Sequence, residues 1–188
     1  MGRSYVRAAG WIGVLSPLVV SVLVLSSILV SPWFSWTENA LSDLGVSGLG
    51  ALLFNTALIT GGAMLIIFAA GLWSVLHGRL ARVGLMLLLL DGAALSAIGV
   101  FPETAGRIHL YVSIMFFTLL VLSLLVQGLS YALEMRNTVT GLFGIFLSLF
   151  SIVVWLFQWR GVAIPEAAAY FAGAVWWITL SVRSNDLV

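Results

Sequence analysis

The 188-residue sequence contains no cysteine, no lysine and few charged side chains of either sign. Without cysteine the chain can form no disulfide bond, thiol nucleophile or thiolate metal site. Charged residues make up 8% of the sequence, whereas a soluble domain usually has about 25%, so the composition excludes a soluble globular fold. The formal net charge of +1 provides no field that would attract nucleic acid, and we expect no nucleic-acid partner.

What the sequence has in excess is long apolar runs, because 62% of its residues are hydrophobic. In hydrocarbon each backbone amide must bond within its own segment, so apolar runs of about 20 residues predict membrane-spanning helices. The predicted helices cover about 9–31, 49–75, 83–101, 107–133, 139–159 and 166–182. We therefore predict an all-α, polytopic membrane protein in which residues 1–188 form one domain of six transmembrane helices, packed as three antiparallel hairpins. Ala93 and Ala97, four residues apart, predict a face where two helices approach closely.

Arginine is distributed unevenly between the two ends of these helices. Six arginines lie at the ends that carry the chain termini: Arg3, Arg7, Arg79, Arg82, Arg136 and Arg183. Arg107 and Arg160 lie at the other end. The positive-inside rule then predicts a multi-pass protein of the cell membrane with both termini in the cytoplasm. The predicted outer loops instead gather carboxylates and one histidine, namely Glu38, Asp43, Glu103, Glu166 and His109.

Two local patterns occur in the outer loops. Ser35-Trp-Thr-Glu38 fits a capping box, in which Ser35 caps a helix and Glu38 bonds back to it, and Gly45 can end that helix. We predict a short interfacial helix at about 36–44. Pro-Glu recurs at residues 102–103 and 165–166, before the fourth and sixth helices. This pair is typical of a helix start, where a carboxylate complements the positive helix end, so the two glutamates are either structural or part of an outer site.

Asp91 lies within the third predicted helix, near the middle of the membrane. An isolated ionised carboxylate at this depth costs about 3 kcal/mol or more, so Asp91 must be paired, protonated or hydrated. Two interpretations stay open. Asp91 is either a proton or substrate site, or a neutral acid that is hydrogen-bonded to a nearby hydroxyl, amide or backbone carbonyl.

The sequence favours no cofactor. His77 and His109 are predicted at opposite membrane faces, about 30 Å apart, so they cannot both ligate one haem. A metal could be held by His109 with Asp43 and Glu103, but catalytic zinc needs three protein ligands and a water, and one histidine with scattered carboxylates is weak support. We therefore predict no metal and no other cofactor, and we keep this ligand set as an alternative.

Two segments resemble a known family. They are Asn39-Ala-Leu-Ser-Asp-Leu-Gly45 after the first helix and Phe101-Pro-Glu-Thr-Ala-Gly-Arg-Ile-His109 between the third and fourth helices. Both are similar to the domain of unknown function 998 family of archaeal-type multi-pass membrane proteins, with a layout like that of the Frag1/DRAM/Sfk1-type six-helix proteins. The resemblance extends over nearly the whole chain. It implies recurrent polar positions at Ser42, Asp43, Gly45, Pro102 and His109, a membrane fold and an outer site, without an established activity.

Aromatic and charged residues are concentrated at the predicted outer end, which favours binding of a membrane lipid or another amphiphile. Aromatic rings would hold the apolar body, and charges would meet the head group. The predicted ligand-binding residues are Trp33, Trp36, Asp43, Glu103, Arg107, His109, Trp159, Arg160 and Glu166. The alternatives are a membrane-embedded metal-dependent lipid hydrolase and an accessory subunit of a larger membrane complex, and catalysis is not favoured. The expected partners are membrane lipids, while homo-oligomers and other membrane proteins are left open.

Overall fold

The computed structural model describes residues 3–185, with side chains described for residues 7–183. The ends of the predicted domain 1–188 and the side chain of Arg3 lie outside this part. Six α-helices follow one another: α1 Arg3–Leu29, α2 Gly48–Leu72, α3 Arg79–Val100, α4 Arg107–Leu133, α5 Thr138–Val153 and α6 Ala163–Asn185. Short 3-10 helices lie in the connections, at Leu41–Gly45, Glu103–Ala105 and Val154–Leu156. No strand occurs within residues 3–185, which confirms the all-α fold.

Within the part of the chain that the structure describes, five helices are long and apolar enough to cross a membrane. These candidate spans are Arg7–Leu29, Gly48–Leu72, Arg79–Val100, Arg107–Leu133 and Thr138–Leu156. The chain is therefore a multi-pass membrane protein. α6 has 23 residues, which gives about 34 Å of helix, but it carries Glu166 and is less apolar than the others. A sixth span through α6 stays a prediction.

Each helix packs against the next from α1 to α5, and α6 returns to pack against α1 and α5. The contact between α2 and α3 is as extensive as the one between α1 and α2. Packing alone therefore does not divide the six helices into three pairs, and the three-hairpin layout stays a prediction. We call the end with loops 30–47, 101–106 and 157–162 the acidic end. The opposite end, which carries Arg79, Arg82, Arg136 and Arg183, is the basic end.

α2 and α3 approach each other closely at two glycines. A Cβ at Gly62 would lie 2.3 Å from the carbonyl oxygen of Gly92, so the two backbones touch where neither residue has a side chain. The hydroxyl of Ser96 donates to the Ile59 carbonyl across the same contact, at 3.1 Å. Ala93 is exposed. The prediction that Ala93 begins the close-packing face is therefore wrong by one position, because Gly92 occupies that place.

A buried amide joins α6 to the interior of the bundle. The side-chain amide of Gln127 on α4 donates to the Gly84 carbonyl of α3 at 3.0 Å and to the Ser123 hydroxyl at 3.2 Å. Its oxygen accepts the indole N–H of Trp176 on α6 at 2.7 Å. Because both ends of the amide are bonded, this polar group can be buried among apolar side chains and still hold three helices together.

At the basic end, Glu134, the residue that follows α4, caps the first turn of α3. The carboxylate of Glu134 accepts the backbone N–H groups of Leu80 at 2.9 Å and Ala81 at 3.0 Å, and the Ser130 hydroxyl at 2.9 Å. The hydrogen bond from Leu80 is the largest of the effects that lower the pKa of Glu134 below its ordinary value. α3 therefore begins on a carboxylate supplied by the residue that follows another helix.

Candidate ligand-binding site at the acidic end

The first and third loops of the acidic end are joined through their backbones. The N–H of Gly161 donates to the Thr37 carbonyl at 2.8 Å, and the N–H of Ala163 donates to the Asn39 carbonyl at 2.9 Å. A Cβ at Gly161 would lie 2.4 Å from the Asn39 carbonyl oxygen and 2.5 Å from the Asn39 nitrogen. A residue with a side chain cannot occupy position 161 while the loops stay this close. We call these two bonds the loop clamp.

The structure corrects the helix predicted at about 36–44. Residues 36–38 form a turn, and helical bonding begins only in the 3-10 helix Leu41–Gly45. Asp43, rather than Glu38, bonds back to the helix start, because its Oδ2 accepts the N–H of Ala40 at 3.0 Å. Glu38 instead forms an exposed ion pair with Arg160, at 3.2 Å. The capping pattern at Ser35 and Glu38 was therefore placed too early in the loop.

Asp43 also contacts Glu103, so the first and second loops meet through two carboxyl groups. Burial raises the pKa of Asp43, but hydrogen bonds to Glu103, Asn39 and the Ala40 backbone outweigh it and lower that pKa below its ordinary value. Partial burial, together with the hydrogen bond and charge of Asp43, raises the pKa of Glu103 to about 7. Because the side chain of Glu103 is exposed, the Asp43 contact matters more than burial for this raised pKa. Glu103 therefore keeps its proton to a higher pH than Asp43 does.

Glu166 brings the start of α6 to the same place. Its Oε2 accepts the N–H of Leu41 at 2.7 Å, so it caps the 3-10 helix of the first loop. Asp43 and Glu103 are close enough for both their charges to act on Glu166. The two Pro-Glu pairs of the sequence therefore converge on Asp43. We call Asp43, Glu103 and Glu166 the carboxyl cluster.

An apolar cleft begins at Glu166 of the carboxyl cluster. Trp36 and Leu41 of the first loop line one end of it, and all helices except α5 contribute to its walls, including Val20, Leu58, Leu95, Phe116 and Tyr170. Its cavity volume is about 90 Å³. Leu25 of α1 and Phe171 of α6 line it and are both exposed, so the cleft opens sideways between these two helices.

A second apolar space, which we call the groove, lies on the other side of α6. It runs between α4 and α5 and is lined by exposed residues such as Ile114 and Leu156. Ser113, Phe117 and Glu166 line both the cleft and the groove. The two spaces therefore meet where α4 faces the first turn of α6, close to the carboxyl cluster.

His109 fixes the second loop rather than joining the carboxyl cluster. Gly106, with a φ of +63°, ends the 3-10 helix and lets α4 start in a new direction. His109 is buried, and its Nδ1 donates to the Phe101 carbonyl at 2.8 Å, because a carbonyl oxygen can only accept. In the neutral ring Nε2 then accepts the hydroxyl of Ser113, at 3.3 Å. His109 thereby holds the side chain of Ser113 at the junction of cleft and groove.

Several predicted site residues lie away from the cleft. Trp33 is 54% exposed and packs edge-on against Phe34. The indole N–H of Trp159 donates to the Val154 carbonyl of its own loop at 2.8 Å. The ion-paired side chain of Arg160 is 84% exposed, and Arg107 is exposed as well. Of the predicted ligand-binding residues, Trp36 and Glu166 line the cleft.

The metal-binding alternative does not fit the arrangement of its proposed ligands. Among the side chains described, no three of the histidine, aspartate and glutamate residues lie close enough together to hold one metal ion. Asp43 and Glu103 bond to each other, whereas both nitrogens of His109 are directed to Phe101 and Ser113. The ligand set of His109, Asp43 and Glu103 is therefore not assembled.

Asp91 is fully buried and separate from the carboxyl cluster. Neither of its carboxyl oxygens has a hydrogen-bond partner among the described residues. The expected bond to a nearby hydroxyl or amide is not formed, since Ser96 donates to the Ile59 carbonyl and Asn55 donates to the Gly45 carbonyl. Asp91 does not line the cleft, although Leu95, one turn further along α3, does.

Two residues of the site were not singled out from the sequence. Asn39 accepts the N–H of Ser35 at 2.9 Å and donates to Asp43 at 2.8 Å, so it orders the first loop around the carboxyl cluster. The spacing of four residues between Asn39 and Asp43 is the sequence signal that indicates a contact between these two side chains. Ser113 gave no signal, because an isolated serine in an apolar helix does not reveal which neighbour it faces.

Residues 13–183 match the family described as "Protein of unknown function (DUF998)". No significant similarity to a curated protein or to a solved structure is found. The matched range contains the carboxyl cluster, the cleft and His109, while the archaeal-type layout stays a prediction. Because the match covers most of its length, the chain belongs to the DUF998 family of membrane proteins.

Proposed function

We propose that the protein binds a membrane lipid or another amphiphile in the cleft, with the head group at the carboxyl cluster. The observation that supports this most directly is an apolar, laterally open space that begins at Glu166 of the carboxyl cluster. An amphiphile entering between α1 and α6 would place its chain against Phe116 and Tyr170. Its polar end would then meet Ser42 and Glu166, which line the same cleft.

The loop clamp also supports the proposal. It ties the third loop to the first, whose residues Trp36 and Leu41 line the cleft. A head group held there would contact the first loop, which the third loop holds in place. Binding to fixed loops costs less conformational entropy than ordering free ones.

The orientation of the chain forms a second part of the proposal. The basic end carries more arginines than the acidic end, so we place the basic end and both termini in the cytoplasm of a cell-membrane protein and the cleft mouth near the outer surface. Since the chain lacks cysteine, Thr104→Cys and Arg136→Cys variants each provide one labelling site. A membrane-impermeant maleimide should label intact cells that carry Thr104→Cys only. Labelling of Arg136→Cys alone would reverse the orientation.

Lipid binding is tested by filling the cleft. Ala167 lines it, so Ala167→Phe should occupy part of the space, whereas Ala93→Phe makes the same change at an exposed position of α3. Native mass spectrometry of protein purified in mild detergent should find co-purified lipid on the wild type and on Ala93→Phe, and less on Ala167→Phe. Equal lipid retention by all three proteins, or none on the wild type, would contradict the proposal.

The alternatives are weaker. A metal-dependent hydrolase requires a ligand set that the described residues do not assemble. An accessory subunit of a larger complex stays a prediction, because no feature of the described surface favours a protein partner over lipid.

A further inference from the structure

We propose that the amphiphile has two hydrocarbon chains and an ammonium head group, one chain lying in the cleft and the other in the groove. This inference rests on the proposed function and specifies its ligand. It comes from the way the two apolar spaces meet and from the charge at their junction.

The shape of the junction favours two chains. Ser113 and Phe117 of α4 and Glu166 of α6 line both spaces, so cleft and groove diverge from one point on either side of α6. Beyond that point each space is bounded by apolar side chains and has its own lateral opening. A single chain would fill one space and leave the other open. A two-chain lipid whose branch point lies beside Ser113 would fill both.

The charge of the junction favours a cation. The residues lining the cleft and the groove include Glu166 and no basic side chain. Asp43 and Glu103 are close enough to Glu166 for their charges to act on it. Arg160 is directed to Glu38 instead. An anionic phosphate at this point would therefore meet carboxyl groups and no basic side chain, whereas an ammonium group would meet acceptors of opposite charge.

The geometry also leaves acceptor atoms for such a group. Glu166 uses Oε2 to accept the N–H of Leu41, and its Oε1 is the second carboxylate oxygen at the junction. The hydroxyl of Ser113 is held by His109 and retains acceptor capacity. An ammonium group has three donors, which these two atoms and a third acceptor could satisfy.

The inference is tested by comparing lipids that differ in one feature at a time. The full chain in detergent is titrated with four probes and followed by native mass spectrometry. They are a dioleoyl glycerolipid with a primary-amine head group, dioleoylglycerol, dioleoyl phosphatidylglycerol and oleylamine. We expect the two-chain amine to bind about tenfold more tightly than dioleoylglycerol, the order of one charge-assisted hydrogen bond. It should also bind more tightly than the single-chain oleylamine, and phosphatidylglycerol should bind most weakly.

Two matched variants assign the effect to the junction. Glu166→Gln keeps an acceptor for Leu41 but loses its charge, and should remove most of the preference for the amine. Glu38→Gln removes a carboxylate of the same end that lies in the exposed ion pair, and should leave the preference unchanged. Where Glu166→Gln fails to fold, Glu103→Gln replaces it, with a smaller expected loss.

The outcomes separate the two proposals. Equal binding of all dioleoyl lipids, with binding still lost in Ala167→Phe, would overturn the ammonium head group and leave lipid binding in place. Equal binding of oleylamine and the two-chain amine would overturn the two-chain arrangement. An unchanged amine preference in Glu166→Gln would overturn the role of the carboxyl cluster. No binding of any probe would overturn the proposed function itself.

Discussion

Gly161→Ala should destabilise the protein through a single methyl group. The added Cβ would lie 2.4–2.5 Å from three backbone atoms of Glu38 and Asn39. Ordinary contacts begin near 3.4 Å, so the loops must separate by about 1 Å, and backbone atoms cannot relieve the clash by rotation. Both bonds of the loop clamp, at 2.8 and 2.9 Å, would then exceed hydrogen-bonding distance. Their loss costs about 1–3 kcal/mol in the free energy of unfolding.

The assay is thermal unfolding in detergent, followed by circular dichroism, with limited proteolysis of the acidic end. For a chain of this size the loss corresponds to a fall in Tm of roughly 3–10 °C, and new cleavage should appear in the first or third loop. Arg160→Ala is the control, because it removes a neighbouring side chain whose ion pair is exposed and worth less than about 1 kcal/mol. If Gly161→Ala unfolds at the temperature of Arg160→Ala and resists protease equally, the loop clamp does not hold the two loops together.

Three further changes test the carboxyl groups. The pKa of Glu103 is raised to about 7, so folding favours the neutral form of this side chain. The stability of the protein should therefore fall as the pH rises from about 5 through 7. In Glu103→Gln the dependence of Tm on pH over this range should be weaker. The pKa of Glu134 is lowered, so the stability it contributes is present above its unfolded pKa and is lost as the pH falls through the folded one. Glu134→Gln should therefore lower Tm at pH 7, where loss of the cap costs about 1 kcal/mol in the free energy of unfolding, as for other helix caps. It should have little effect in acid. Asp91→Leu should raise Tm, because it replaces a buried carboxyl that lacks partners among the described residues by an apolar group of similar size. The free energy of unfolding should increase by about 1–3 kcal/mol.

Each of these has a contrary outcome. A Tm that rises between pH 5 and 8 in the wild type, and does so equally in Glu103→Gln, would contradict the raised pKa of Glu103. A loss in Glu134→Gln that is the same at pH 4 and pH 7 would show that the charge of Glu134 is not what caps α3. A lower Tm in Asp91→Leu would indicate that Asp91 has a partner, such as a bound water, within the folded protein.

The helices could be predicted because apolarity and length determine them. Both bounds of α4 agree with the predicted 107–133. The end of α5 differs from the predicted residue 159. The α-helix stops at Val153, and the 3-10 helix Val154–Leu156 follows before the third loop. Residues 152–157 are all apolar. Hydropathy therefore gave no signal for where the helix ends.

The carboxyl cluster could be predicted only in part. Counting helices from one end to the other placed Asp43, Glu103 and Glu166 at the same end, and the structure brings them together. Which atoms meet depends on the path of the loops. The pattern of residue types predicts a capping box at Glu38, whereas Asp43 provides the bond and residues 36–38 form a turn.

Long-range contacts explain most of what was missed. The requirement for glycine at position 161 comes from the backbone of Asn39, more than a hundred residues away in sequence. The cap of α3 comes in the same way from Glu134, the residue that follows α4. The cleft and the groove are each lined by side chains from several helices, and a single apolar sequence does not show which helices face one another.

The most direct test of lipid binding is a crystal structure of the wild-type protein grown in a lipid mesophase. We predict elongated density in the cleft, running between Phe116 and Tyr170 and ending beside Ser113 and Glu166. A well-resolved map in which the cleft is closed by its own side chains, or holds only separate water molecules, would contradict the account.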